Sequence, residues 1–154
     1  MFVTCGSRAG RRRVSNKRIQ DAAIRVIQIA VTDPNGAALI TGDGQGLTVR
    51  INLVLNGFSL TAVAGCLTAV STSGIPTIQL RRVRAGVSAD MLSTPLTIDA
   101  NESDSKDAAT ATVIDAANDD VVTGDQIFFD IDVAGTGAKG LIVELTFRSP
   151  VGGS

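Results

Sequence analysis

Strict alternation of apolar and polar residues near the C-terminus constrains the fold of this chain more than any other feature. Two runs have an apolar residue at every second position: Ile127, Phe129, Ile131 and Val133, then Leu141, Val143, Leu145 and Phe147. Successive side chains of a β-strand point to opposite faces, so each run predicts a strand with one buried face. The glycine-rich segment 135–140 between the runs predicts a hairpin with an outward loop.

Weaker patterns of the same kind predict strands along the rest of the chain. These predicted strands are 24–32, 38–41, 47–55, 58–71, 75–84, 91–93 and 96–99, with a strand end or a helical turn at 113–117. In 47–55, the odd-numbered residues from Leu47 to Leu55 are expected to point one way. In 58–71, the even-numbered residues from Phe58 to Cys66 share a parity, and the length of the run together with Gly65 suggests a bend or bulge.

About eight strands at regular spacing, with turn residues between them, indicate an antiparallel sandwich or barrel. We expect an all-β, jelly-roll-like sandwich, because the Cys-Trp-Cys signature of immunoglobulin domains is absent from the sequence. With 154 residues, one domain is the default. We therefore divide the chain into an extended basic N-terminal arm at 1–23, a sandwich domain at 24–148 and a tail at 149–154.

Positive charge is concentrated at the N-terminus. Residues 1–25 hold seven of the fourteen Lys and Arg residues against a single Asp, a net charge of +6, whereas the rest of the chain has a net charge of −7. The candidate partner-binding residues of the arm are Arg8, Arg11, Arg12, Arg13, Lys17 and Arg18. Guanidinium groups pair with carboxylates and neutralise phosphates, so we expect the arm to dock on an acidic protein surface or, less favoured, on nucleic acid. The third interpretation is a solvated tail. Ser15 is a candidate cap for a short helix to about Ala23.

The sequence contains no histidine. This removes the side chain best suited to proton transfer near neutral pH, along with Ser-His-Asp, Cys-His and His-containing zinc sites. Asp130 and Asp132 share one strand face, as paired glycosidase carboxylates can, but no aromatic sugar platform accompanies them, and solvated or interface charges are favoured. The acidic segment 99–104 lacks the Gly and Glu positions of an EF-hand loop. We predict a non-enzymatic protein with no catalytic residue, no metal site and no cofactor.

The cysteine and hydropathy patterns limit the cellular compartments in which we expect the protein. Cys5 and Cys66 are the only cysteines, and we expect both to be reduced thiols rather than a disulfide framework or a metal site. No run approaches 18 apolar residues, and no apolar segment follows the N-terminal charges. We therefore expect neither a membrane span nor a secretory signal.

Three arginines lie close together in the predicted strand 75–84. Strand geometry places Arg82 and Arg84 on one face and Arg81 on the other. We expect them at a candidate interface, where they would meet the acidic body of a neighbouring subunit. A solvated outer face is the competing interpretation.

Three segments of the C-terminal half carry a resemblance to a known group of proteins. They are Met91–Asp99 (MLSTPLTID), Val121–Asp125 (VVTGD) and Asp130–Leu141 (DIDVAGTGAKGL). Together they resemble small all-β virion proteins of tailed bacteriophages, some of which are similar to jelly-roll head decoration or cement proteins. The likeness covers roughly positions 47–148 and consists of strand and turn pieces.

The resemblance implies a role in assembly. A decoration protein would bind the major capsid protein at the outer surface of the virion after synthesis in the host cytoplasm, and would self-associate as a homo-oligomer, with a trimer at a local threefold axis as one arrangement. Alternatives are a tail, baseplate or fibre component, a nucleic-acid-binding protein that uses the arm, and a carbohydrate-binding or hydrolysing domain.

Overall fold

The computed structural model describes residues 23–150. The arm predicted for 1–23, with its candidate helix from Ser15, lies outside the described residues except for Ala23, and so do residues 151–154 of the predicted tail.

Strands and two short 3-10 turns make up the regular structure of residues 23–150. The strands are β1 (Ile24–Ala30), β2 (Val49–Arg50), β3 (Phe58–Ala69), β4 (Thr77–Arg84), β5 (Val87–Asp90), β6 (Leu92–Thr94), β7 (Leu96–Thr97), β8 (Val113–Ile114), β9 (Asp120–Val121), β10 (Gln126–Val133) and β11 (Lys139–Arg148). The 3-10 turns are Leu53–Leu55 and Ser105–Asp107. All strand pairs are antiparallel.

Eight of the strands form two sheets with jelly-roll connectivity. One sheet has the order β1-β11-β3-β9 and the other has the order β2-β10-β4-β5. Taken in chain order, the first of these eight strands pairs with the last, the second with the seventh, the third with the sixth and the fourth with the fifth. The chain is therefore a long hairpin rolled up, which is how a jelly roll divides its strands between two sheets. The predicted all-β, jelly-roll-like sandwich is confirmed.

The remaining strands fill the connection between β5 and β9. β7 pairs with Thr77 and Ile78 of β4, beside the stretch of β4 that pairs with β5. β6 and β8 form a separate two-stranded ribbon.

A single hydrophobic cluster lies between the sheets. Phe129 of β10 and Phe147 of β11 are completely buried. They belong to different sheets and lie among aliphatic side chains such as Leu60, Ile78 and Leu80. The alternation predicted for the last two strands is confirmed, except that Val133 is exposed.

A β-bulge changes which residues of β3 point towards the core. Thr146 pairs with Ala62 and Phe147 pairs with Leu60, so Thr61 is an extra residue in β3. An extra residue shifts the alternation by one position. The even-numbered residues after Leu60 were predicted to share its face, but they point away from the core. The odd-numbered residues from Val63 to Leu67 face the core instead.

Gly65 is not the bulged residue. A Cβ atom on Gly65 would lie 2.7 Å from Cδ2 of Leu96, so this position must be small to admit the buried Leu96 side chain.

The segment 38–55 is less regular than expected. Only β2 forms within the predicted strand 47–55, and Asn52 then caps a 3-10 turn that leaves Leu53 exposed. Leu47 is also exposed, so the predicted single face is wrong at these two positions. The predicted strand 38–41 is a loop, held by a hydrogen bond from the Leu39 amide to the Ala138 carbonyl.

Two predicted connections differ from the structure. The segment 135–140 does not close a hairpin, because β10 and β11 belong to different sheets. The hairpin of β4 and β5 was missed; its two turn residues, Ala85 and Gly86, both have positive φ, as a type I′ turn requires.

Candidate interaction surfaces

The residues proposed for partner binding fall into two groups. The arm residues Arg8, Arg11, Arg12, Arg13, Lys17 and Arg18 lie outside the described residues, and their contacts stay a prediction. The three arginines of β4 are well described, and each of them pairs with a carboxylate of the same chain.

Arg81 binds Asp130 on the neighbouring strand β10. Its Nε and Nη2 atoms lie 2.6 Å and 3.0 Å from the two carboxylate oxygens. The guanidinium carbon lies 5.0 Å from the centre of the Phe128 ring, within cation–π range. The Gly44 amide donates a hydrogen bond of 2.6 Å to the same carboxylate. The hydrogen bond with Asp130 raises the pKa of Arg81. Asp130 thus binds both Arg81 and the loop around Gly44 at the outer face of the second sheet.

Arg82 and Arg84 share Asp120 on the other side of β4. Nη1 of Arg82 lies 2.7 Å from Oδ1 of Asp120, and Nη1 of Arg84 lies 3.0 Å from Oδ2. Arg84 also binds Asp125, with Nη2 at 2.7 Å from Oδ2. Burial alone would raise the pKa values of the two carboxyls, but the arginine hydrogen bonds outweigh it and lower both.

This second cluster joins the two sheets at one end of the sandwich. Asp120 belongs to β9 of the first sheet, whereas both arginines belong to β4 of the second. Arg82 is buried, so a solvated outer face is not its environment. The interface role expected for Arg81, Arg82 and Arg84 remains a prediction, and any partner carboxylate would have to displace contacts that the chain already makes.

The two aspartates of β10 have different environments. Asp130 is buried against Arg81, so of its two expected environments, solvent or an interface, the first is wrong, whereas Asp132 is exposed at a bulge in β10. Desolvation raises the pKa of Asp132, and the nearby charges of Asp130, Asp90 and Asp43 raise it further. Because Arg81 already neutralises Asp130, the two carboxylates are not equivalent catalytic partners.

The side chains of the acidic segment 99–104 support local backbone. Asp99 accepts a hydrogen bond from the Ala109 amide, and Asp104 accepts one from the Lys106 amide. Between residues 23 and 150, no three His, Cys, Asp or Glu side chains are grouped as metal ligands would be. Cys66 is a free thiol, and burial raises its pKa.

An apolar groove lies where β1 ends. Its volume is about 560 Å³, and its lining includes Ala30, Val31, Leu39, Ile40, Leu47 and Ile131. Ile40 and Leu47 are 65% and 61% exposed. Exposed apolar side chains around a groove are typical of a surface that another molecule covers.

The open edge of β1 adjoins this groove. β1 is an edge strand of the first sheet, and within residues 23–150 no strand pairs with its outer side. Ile24 and Val26 on this strand are 50% and 55% exposed. Sequence reasoning identified β1 as a strand but not as an edge, because the position of a strand in a sheet depends on residues far away in the chain.

Comparison with known proteins identifies no relative of this chain. No protein-family model, curated protein or solved structure matches the chain. In the described part of the chain, no helix is long and apolar enough to span a membrane.

Proposed function

We propose that this chain is a non-enzymatic structural protein of a tailed-bacteriophage virion, and that it decorates the outer surface of the head. In this role the basic arm binds the major capsid protein, and the jelly-roll body associates with other copies. The protein is made in the host cytoplasm and reaches the capsid surface during assembly.

The separation of charge carries this proposal. Seven basic residues precede or begin β1, and the body that follows has a net charge of −7. A cationic segment attached to an anionic body is suited to bridging, because the segment can pair with an acidic surface that the body itself would repel. Many copies on one particle would multiply a modest contact.

The architecture of the body is a second support. Buried apolar side chains fill the space between the sheets, and the cluster of Arg82, Arg84, Asp120 and Asp125 ties the sheets together at one end. A body with these internal ties is suited to a mechanical role. The three segments that resemble phage virion proteins lie within it.

The test is attachment to phage heads that lack the protein. Deletion of residues 2–18 should abolish co-sedimentation with the heads, while circular dichroism still reports a folded β body. Attachment of the truncated protein at the level of the full chain would refute anchoring by the arm.

Two matched triple variants distinguish binding by the arm from an effect of the overall net charge. Arg11→Gln, Arg12→Gln and Arg13→Gln together should weaken attachment. Arg50→Gln, Lys139→Gln and Arg148→Gln remove the same charge from exposed positions of the body and should leave attachment unchanged. Equal losses in both sets would show that overall charge, not the arm, drives the association. Labelled electron microscopy would locate the protein on the head or, under the alternative, on the tail, baseplate or fibre.

The charge of the arm also favours a second candidate, binding to nucleic acid. This alternative predicts an affinity for DNA that falls steeply with salt concentration, because each phosphate contact releases counterions. Deletion of residues 2–18 would remove that affinity. A glycan-binding role would instead require sugar binding that Asp132→Asn abolishes.

A further inference from the structure

Within residues 23–150, no strand pairs with the backbone hydrogen-bonding groups along the outer edge of β1. The Val31 amide donates to the Leu141 carbonyl, and the Ser149 amide donates to the Ala23 carbonyl, each at 2.8 Å. Hydrogen-bonded and non-hydrogen-bonded pairs alternate along an antiparallel ladder. The odd-numbered residues of β1 therefore bond to β11, and the backbone groups of Ile24, Val26, Gln28 and Ala30 point away from it.

This edge is long and carries few of the features that usually protect edges. Natural sheets shorten their edge strands, bulge them or place Lys and Pro on them. The other sheet ends are β9, β2 and β5, with two, two and four residues. β1 has seven residues in continuous register with β11 and contains neither Lys nor Pro. In the described part of the chain, only the Ile24 carbonyl has a partner along this side, since Nη1 of Arg25 donates to it.

The residues of β1 suit pairing with an identical strand. In an antiparallel pair centred on Ile27, Val26 of one copy lies opposite Gln28 of the other, and Ile24 lies opposite Ala30. The single charge of the strand, Arg25, lies opposite Ile29 and not opposite its own copy. All four outward residues of each strand then fall in hydrogen-bonded pairs, and like charges are not placed face to face.

The apolar groove extends the contact surface offered by the edge of β1. Ala30 lines the groove, and it is the residue opposite Ile24 of the second copy in this register. The partly exposed Ile24 of each copy would therefore be brought to the rim of the groove of the other. The contact would be repeated on both sides of the axis.

We propose that β1 is a self-association edge, at which two copies of this chain pair antiparallel about a two-fold axis at Ile27 and join their first sheets into one eight-stranded sheet. Such a contact is isologous and closes at two copies, so it favours a dimer over a trimer, the one arrangement named for the homo-oligomer that the resemblance implies. The inference does not depend on where the protein acts.

The first test is the mass of the full chain in solution from about 1 µM to 1 mM, the range in which a modest interface dissociates. Light scattering or sedimentation should show twice the protomer mass at high concentration. A monomer throughout this range, or a trimer, overturns the proposal.

Proline substitution tests the edge itself. Val26→Pro removes an amide that makes no bond within residues 23–150, and a proline is tolerated at such an edge position. It should weaken the dimer about 10- to 100-fold while the protomer stays folded. Val26→Thr, which keeps the amide and the branched side chain, is the matched control and should dimerise within about threefold of the wild type. A dimer equally stable in Val26→Pro overturns the proposal.

Amide hydrogen exchange of the unmodified protein gives a readout that does not depend on variant folding. The amides of Val26 and Gln28 should exchange fast at low concentration and become protected in step with the dimer, whereas the Ile27 amide should be protected throughout. Protection of Val26 and Gln28 in a monomer would mean that another part of the same chain covers the edge. It would overturn the inference, and so would a dimer in which these two amides stay unprotected.

Discussion

The partly exposed Arg84 forms a two-point ion pair with the buried Asp125, with Nη2–Oδ2 at 2.7 Å and Nε–Oδ1 at 3.0 Å. The Asp125 carboxylate is 1% exposed and also accepts a hydrogen bond from the Val122 amide. One carboxylate thus joins β4 to the turn that leads into β10. Because this ion pair lies within one chain, we expect its loss to change the stability of the fold.

Asp125→Ala should destabilise the fold by about 2–3 kcal/mol, because it leaves the Arg84 guanidinium and the half-buried Val122 amide without their shared acceptor. The cost stays below that of a fully buried pair, since Arg84 keeps Asp120. Chemical denaturation at pH 7 measures it. Glu102→Ala, at an exposed residue, is the control and should change the free energy of unfolding by less than about 0.5 kcal/mol.

Acid should unfold the protein through the same cluster. The folded-state pKa values of Asp120 and Asp125 lie below their unfolded values. Burial would raise both, but it is outweighed at Asp120 by hydrogen bonds from Arg82 and Arg84, and at Asp125 by hydrogen bonds from Arg84 and the Val122 amide. Such groups stabilise the fold above the unfolded pKa of about 3.9, and the contribution is lost as the pH falls through the folded pKa. The urea midpoint should therefore drop below about pH 4, and the drop should be smaller in Asp125→Ala. An identical acid profile in the variant would remove Asp125 from this explanation.

Asp132→Asn should have the opposite effect near neutral pH. Partial desolvation and the neighbouring charges of Asp130, Asp90 and Asp43 raise the folded-state pKa of the exposed Asp132, so its ionised form costs stability above the unfolded pKa. The variant should melt at a higher temperature than the wild type at pH 7 and at nearly the same temperature at pH 3. Glu102→Gln is the control for loss of one negative charge, and a comparable gain from it would attribute the effect to net charge.

Gly65→Ala should destabilise the protein by about 1–3 kcal/mol, because the new methyl group would overlap with the buried side chain of Leu96. Combining it with Leu96→Val should cost less than the sum of the two single changes, which a double-mutant cycle measures. Ala64→Ser, next to it on the exposed face, is the control and should be nearly neutral. Strict additivity would contradict the steric explanation.

Ala85→Asn should stabilise the β4–β5 hairpin by about 0.5–1 kcal/mol. Ala85 has φ +48°, which Asn tolerates better than alanine, and Asn-Gly is the favoured pair in a type I′ turn. Thermal unfolding measures the gain. Ala116→Asn, at an exposed residue of another turn, should produce none.

Residue alternation alone was enough to predict β10 and β11, because each has one buried face over most of its length. It failed where local pattern and tertiary position differ. The length of β3 and Gly65 suggested a bulge in this strand, but they did not identify Thr61 as the extra residue that reverses the facing of the strand. The loop after β10 carries glycines typical of a hairpin, yet it connects two sheets, because the partner of a strand is chosen across the whole core.

The candidate site shows the same division. The sequence by itself determined that this is an antiparallel all-β chain with a cationic N-terminus, since alternation and charge are local properties. Only the tertiary structure decided that Arg81, Arg82 and Arg84 meet Asp130, Asp120 and Asp125, and that β1 is an edge strand in the described part of the chain. Those contacts join residues dozens of positions apart, which become neighbours only when burial of the apolar faces rolls the long hairpin into two sheets.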